Sequence, residues 1–328
     1  MKARHAEGVH HLVAGEVIVD AGDLGIAAPF EGWPAETLAL PGEITLSVRT
    51  TPAAPGAQPA VLVHGLGGSA LNWTTSSALL ADRLACRAPD LPGFGESPPP
   101  HDGDYGVDAH ARAVEELIEA DGHGPVHLFG NSLGGAVAVR LAARRPDLVR
   151  SLVLVSPALP DWVPTRWRTE VGALGLPLVG PALSRRVSVL TPEERVAGAI
   201  RLCFAEPSQV PDAWRQAAIV EAEARGRKLY AADALARSMR GLIAASAPRV
   251  DGLWSSVDRV VAPTLILHGA RDALVPVRAS RRAAHRMRHA RLVVLPRAGH
   301  VAQMESPHVV ARLVRDHLDR CAAAGRPG

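Results

Sequence analysis

Residues 126–129, Val-His-Leu-Phe, form an apolar run of strand length that leads straight into Gly130-Asn131-Ser132-Leu133-Gly134-Gly135. An alanine-rich stretch without internal proline follows, from Leu133 to Arg144. A chain written this way passes from strand to helix within a residue or two. A serine at such a turn has a strained backbone, its hydroxyl stands above the sheet, and the next amide opens a helix. Glycine suits positions 130 and 134, because a Cβ there would collide across the bend. In a chain with 30 glycines the Gly-x-Ser-x-Gly string alone says little. The strand before it and the helix after it give it weight.

The same rhythm runs on both sides of this turn. Residues 60–64, 86–88, 126–129 and 151–156 read as buried strands, and about 71–84, 107–121 and 133–144 read as helices. Alternation of this kind predicts a mostly parallel sheet with helices on both faces. Ahead of it, 37–40 and 44–49 flank Pro41-Gly42 and read as a hairpin. Within residues 1–36 only 16–19 suggests a strand, and Pro29, Gly32 and Pro34 mark loop.

Two more strands follow downstream, at 263–269 and 291–295. Asp272 lies just beyond the first and His300 just beyond the second, so the order along the chain is Ser132, Asp272, His300. A lone serine hydroxyl is a poor nucleophile at neutral pH; it needs an adjacent base held in the correct tautomer by a third group.

From about residue 38 to 318 the chain resembles the α/β-hydrolase family. The resemblance rests on five motifs in the family's order: Val63-His64-Gly65 with a glycine-rich loop, Asp90-Leu91-Pro92-Gly93-Phe94-Gly95-Glu96-Ser97, Gly130-Asn131-Ser132-Leu133-Gly134-Gly135, Gly269-Ala270-Arg271-Asp272, and Gly299-His300. It implies the α/β-hydrolase fold, with Ser132 as nucleophile, His300 as base and Asp272 as the acid that orients it. It also implies an oxyanion hole built from the backbone N–H groups of Leu66 and Leu133, the latter at a helix N-terminus. The family's counterpart of His64 is structural. Asp161, beyond the strand ending at Ser156, is a rival acid, since some members place theirs there.

The strand–helix rhythm stops between Pro157 and about Trp254. Thr191-Pro192-Glu193-Glu194 signals a helix start, with an N-cap threonine, a first-turn proline and a glutamate three residues on. Two further helices are predicted over 211–225 and 233–245. This insertion resembles the helical cap that many family members carry over the active site. The division expected is therefore an N-terminal extension over 1–36, an α/β-hydrolase core over 37–156 and 255–328, and a cap over 157–254. The first third of the insertion is dense in Trp162, Trp167, Leu174, Leu176, Leu178, Val179, Leu183 and Leu190, broken by Pro160, Pro164, Pro177 and Pro181. Short apolar segments joined by turns suit a lid over an apolar substrate.

Composition excludes more than it suggests. The net charge of +3 comes from 36 Lys+Arg and 33 Asp+Glu, interspersed rather than blocked, and aromatic residues are only 4%. A nucleic-acid surface needs a contiguous basic face with interleaved aromatics, so none is expected. No apolar stretch approaches the roughly 20 residues of a membrane span, and no targeting signal stands out, which predicts a cytoplasmic protein without stable membrane insertion. Cys86, Cys203 and Cys321 form no short-spaced pair. His5, His10 and His11 lack carboxylate or cysteine partners at ligand spacing, so neither a metal nor a cofactor is expected.

The substrate reading is a small-molecule carboxylic ester with an apolar acyl group. A serine in place of aspartate argues against the family's dehalogenases and epoxide hydrolases. Three alternatives stay open. One is a carbon–carbon bond hydrolase of ring-cleavage dienones, whose members share Gly-Asn-Ser-x-Gly-Gly but commonly carry tryptophan after the catalytic histidine, where this chain has Val301. Another is a cofactor-free perhydrolase, and the third a non-catalytic ligand-binding protein on the same fold.

Overall fold

A computed structural model describes residues 9–11, 16–19, 33–161, 173, 189–247 and 250–324. Ten strands among them form one sheet: β1 (Val9–His11), β2 (Glu16–Val19), β3 (Ala35–Leu40), β4 (Ile44–Thr50), β5 (Gln58–Val63), β6 (Leu84–Pro89), β7 (Val126–Asn131), β8 (Val149–Val155), β9 (Thr264–Gly269) and β10 (Ala290–Leu295). Their order across the sheet is β1-β2-β10-β9-β8-β7-β5-β6-β4-β3. All neighbours from β2 to β6 run parallel. The β3–β4 hairpin and β1 add antiparallel edges. The hairpin and the strand at 16–19 match the sequence expectation. Not foreseen was the partner of that strand: it extends the sheet alongside β10.

The helices are α1 (Thr74–Leu80), α2 (Val107–Asp121), α3 (Leu133–Arg144), α4 (Pro192–Cys203), α5 (Asp212–Gly226), α6 (Ala231–Ala245), α7 (Leu253–Arg259), α8 (Val277–Arg286), α9 (Ala302–Glu305) and α10 (Pro307–Ala324). Period-two alternation sends the strand residues to two cores. Val61, Val63 and Ile266 join Val114, Leu117, Val137, Leu141, Val257 and Ala283 from α2, α3, α7 and α8. Ala60, Leu62, Leu265 and Leu267 join Leu80, Val310, Val314 and Leu318 from α1 and α10. The sheet is thus covered on both faces, and this double burial is why its central strands read as unbroken apolar runs.

One predicted helix is shorter than the spacing suggested. Instead of running over about 71–84, the chain makes a 3-10 turn (Ala70–Trp73), then α1, and leaves the helix at Leu80. Leu84 is fully buried and pairs with Gln58 in the sheet, so burial in β6 prevails over continued helical periodicity. Helix α4 begins as expected. Thr191 Oγ1 accepts from the Glu194 amide at 3.2 Å and the Glu194 carboxylate accepts from the Thr191 amide at 2.8 Å, satisfying two amides that the first turn leaves unpaired.

Between β8 and β9 the described chain carries four helices, α4 to α7, and no strand. Of the apolar residues noted in the first third of this insertion, only Leu190 lies within the described residues. No helix among the described residues is long and apolar enough to cross a membrane.

Candidate active site

The parallel strands end on one edge, and the chain leaves β5 toward β6 on one side and β7 on the other. In such sheets the crevice at this reversal is where ligands bind. His64, Ser132, Asp272 and His300 all lie just past the ends of β5, β7, β9 and β10.

Ser132 occupies the turn between β7 and α3 with φ 53° and ψ −116°, a conformation costly for any residue with a Cβ. Three hydrogen bonds hold it. Its amide donates to the Val155 carbonyl at 3.1 Å, and its carbonyl accepts from Ala136 at 3.2 Å and from Ala158 at 2.9 Å. The flanking glycines are required by space. A Cβ at Gly130 would fall 2.3 Å from the Gly134 carbonyl oxygen, and one at Gly134 would fall 2.3 Å from that of Val63. Leu133, the residue after the serine, is fully buried at the first position of α3.

The loop after β5 comes close to this turn. A Cβ on Gly65 would lie 3.2 Å from Ser132 Cβ, so the backbone leading into Leu66 passes directly beside the serine. Gly68 closes that loop by donating to the Gly65 carbonyl at 3.0 Å. Arg225 of α5 donates to the Gly67 carbonyl at 2.6 Å, fastening the loop from the far side. His64 is fully buried, and both its ring nitrogens are engaged: Nδ1 with the Gly65 carbonyl at 2.7 Å, and Nε2 as acceptor from the Leu91 amide at 2.9 Å. Burial lowers its pKa, and the neutral ring is the form that makes this pair of bonds.

Asp272 accepts four contacts. Oδ1 takes the Leu274 and Val275 amides at 2.8 and 2.9 Å, and Oδ2 takes His300 Nδ1 at 2.8 Å, with His268 Nε2 at 3.4 Å. Burial is the largest single influence on this carboxyl and opposes its charge. The two histidines and the Val275 amide together outweigh it and hold the pKa down at about 2. His268 is itself buried, which lowers its pKa; its Nδ1 pairs with Ser280 Oγ at 2.8 Å and its Nε2 donates to the Val275 carbonyl at 2.9 Å. With Nδ1 of His300 donating to Asp272, its Nε2 keeps the lone pair a base needs. Asp161, the rival acid, forms an ion pair with Arg278 at 2.5 Å.

Two residues without a role assigned from sequence belong to this assembly. Asn131 donates to the main-chain carbonyls of Val155 at 3.0 Å and His300 at 3.2 Å. Glu305 accepts from the Gly299 and Ala205 amides, each at 2.8 Å. Burial is the main cause that pushes its carboxyl up to about 7, and the nearby Asp272 charge adds to it, against the pull of the Ala205, Gly299 and Val301 amides. Asn131 stands in the motif around Ser132 and Glu305 lies five residues beyond His300, but neither spacing nor residue type tells where their side chains reach. Among the described residues, no group of three His, Cys, Asp or Glu side chains is placed to hold a metal ion.

A serine on a strained strand-to-helix turn, a glycine loop beside it and a histidine–carboxylate pair thus gather at one edge of the sheet. The family model described as alpha/beta hydrolase fold matches residues 59–307. The chain belongs to that family. It is 31% identical over 282 residues to 2-hydroxy-6-oxo-2,4-heptadienoate hydrolase of Pseudomonas putida, covering 79% of this chain and 88% of that one. It is 28% identical over 284 residues to an esterase of Mycobacterium tuberculosis, covering 80% and 84%. It is also 31% identical over 256 residues to the dihydrolipoyllysine-residue acetyltransferase component of the acetoin cleaving system of P. putida, covering 78% of this chain but only 62% of that protein's length.

Proposed function

We propose that this α/β-hydrolase cleaves carboxylic esters with apolar acyl groups through an acyl-enzyme on Ser132. The observation that carries the reading is the 2.8 Å bond from His300 Nδ1 to Asp272, on the same sheet edge as a serine held at φ 53°. His300 Nε2 takes the Ser132 proton as Oγ attacks the ester carbonyl carbon. The Leu66 and Leu133 amides stabilise the oxyanion that forms. Collapse expels the alcohol with the proton from His300. Water, deprotonated by the same imidazole, then attacks the acyl-serine and releases the acid. Asp272 stays ionised throughout and fixes the tautomer.

Residues 157–254 serve in this reading as a cap over a core formed by 37–156 and 255–328. Val301, next to His300, packs with Val196, Ile200, Phe204 and Val210 from α4 and the loop after it, so the insertion brings an apolar cluster up against the histidine loop. That favours an apolar acyl group. The three free cysteines accord with a cytoplasmic setting.

The similarity to a dienoate hydrolase favours a second reading, cleavage of a carbon–carbon bond in a ring-cleavage dienone by the same residues. Val301 in the position after the histidine weighs toward esters. Specificity constants on a panel of p-nitrophenyl esters and one ring-cleavage dienone decide between them. Ester turnover exceeding dienone turnover by orders of magnitude is the expected result; the reverse establishes the carbon–carbon hydrolase.

A further inference from the structure

Helix α4 ends at Cys203, far in sequence from the histidine loop, yet two hydrogen bonds join the segments and a third, inside the histidine loop, closes a ring. The His300 amide donates to the Cys203 carbonyl at 2.7 Å. Glu305 Oε2 accepts from the Ala205 amide and Oε1 from the Gly299 amide, both at 2.8 Å. The contact is close enough to demand glycine: a Cβ at 299 would lie 2.6 Å from the Cys203 carbonyl oxygen and 2.8 Å from the Ala205 nitrogen. The result is a closed ring made of Cys203–Ala205, Gly299–His300 and the Glu305 side chain.

Glu305 is only 3% exposed. A buried carboxylate bound to neutral amides alone is an expensive way to fill space. Chemistry gives the reason for it here. Two N–H donors converge from two different segments, and only a group with two acceptor oxygens satisfies both. Glutamine has one carbonyl oxygen and would set its NH₂ against the other donor.

We propose that Glu305 is a positioning residue for the hydrolytic reaction: it locks the end of α4 to the His300 loop, so that the imidazole is held at its working place between Asp272 and the serine turn. This rests on the reading of His300 as the base. In this view the inserted helices form part of the scaffold of the base itself. Glu305 acts through the backbone on either side of His300 and touches no reacting atom.

The test uses full-length protein at pH 8 with p-nitrophenyl butyrate as substrate, and counts active sites with a fluorophosphonate. Glu305→Gln is expected to lower kcat per titrated site about a hundred-fold with KM little changed, as a small misplacement of a catalytic group does. The downfield proton NMR signal of His300 Nδ1–H, a readout independent of turnover, should broaden or shift. Should Glu305→Gln fail to fold, Gly299→Ala tests the same ring by forcing its two segments apart, with Glu305 intact and the same loss expected. A variant with kcat per site within a factor of two of wild type and an unmoved Nδ1 proton overturns the proposal, even if it melts earlier. His300→Ala separates the two ideas: if it hydrolyses the ester as wild type does, the base assignment has failed. If it is dead while Glu305→Gln is fully active, only the positioning role has failed.

Discussion

Asn131 carries His300: its side-chain amide donates to the His300 main-chain carbonyl at 3.2 Å and to that of Val155 at 3.0 Å. The residue immediately before the serine therefore fixes the backbone of the histidine, although 169 positions separate them. The strained turn and the histidine loop are thereby one hydrogen-bonded unit, supported on the far side by Cys203 and Glu305.

Removing that link should cost both stability and rate. Asn131→Ala leaves the buried His300 carbonyl without this donor and that of Val155 with the Ser132 amide alone, which destabilises by about 1–3 kcal/mol. Urea unfolding should show a lower midpoint with an unchanged slope, and turnover should fall along with it. Unchanged turnover would mean that His300 is held without this bond.

The choice between the two carboxylates is open to a direct comparison. Asp272→Asn should keep the fold and lose about 10⁴ in kcat, because the amide cannot enforce the tautomer that leaves Nε2 free. Asp161→Asn, which breaks a pair with a half-exposed arginine, should leave kcat nearly unchanged. If the two kcat values come out the other way round, the acid is Asp161.

The buried Glu305 leaves a signature in stability as well. Its carboxyl is raised from 4.5 to about 7, so the folded chain still holds a proton where the unfolded chain has released it. Linkage then makes stability fall with rising pH across that interval. The contribution is fully present below about pH 4.5, is lost on the way to about 7 and is flat above. The unfolding free energy of wild type relative to Glu305→Gln should therefore decline by an amount on the order of 3 kcal/mol between those limits. A difference that stays constant or grows with pH contradicts the burial argument.

Acyl-chain length probes the apolar cluster beside His300. Each methylene buried is worth about 0.8 kcal/mol, so kcat/KM should rise about fourfold per carbon until the space is full, then fall. Measurements from acetyl to decanoyl esters check this. A steady decline from acetyl onward would show a small pocket.

Much of the fold is legible in the sequence. Helices α2 and α3 fall on the residues expected of them, because buried apolar residues repeat at helical spacing in α2 and punctuation is clear, with Gly122 at φ 64° ending α2. Ser132, Asp272 and His300 stand out as candidates from chain order and loop position, since the end of a parallel strand is readable as the end of an apolar run. The loss of helix after Leu80 is not legible, because Leu84 suits either a helix or a strand and only its pairing with Gln58 decides. Nor are the contacts of Asn131, Arg225 and Glu305. Each depends on how segments distant in sequence approach one another, and polar residue type alone does not say which carbonyl or amide a side chain will meet.

The central claim is that Ser132 is the nucleophile, and one measurement addresses it most directly. Hydrolysis of p-nitrophenyl butyrate by Ser132→Ala should fall by roughly a million-fold, with circular dichroism and thermal unfolding matching wild type. Wild-type protein quenched during turnover should carry one acyl group, mapped by mass spectrometry to the peptide containing Ser132. Ester hydrolysis by Ser132→Ala at close to the wild-type rate, or an acyl group on another residue, would contradict the account.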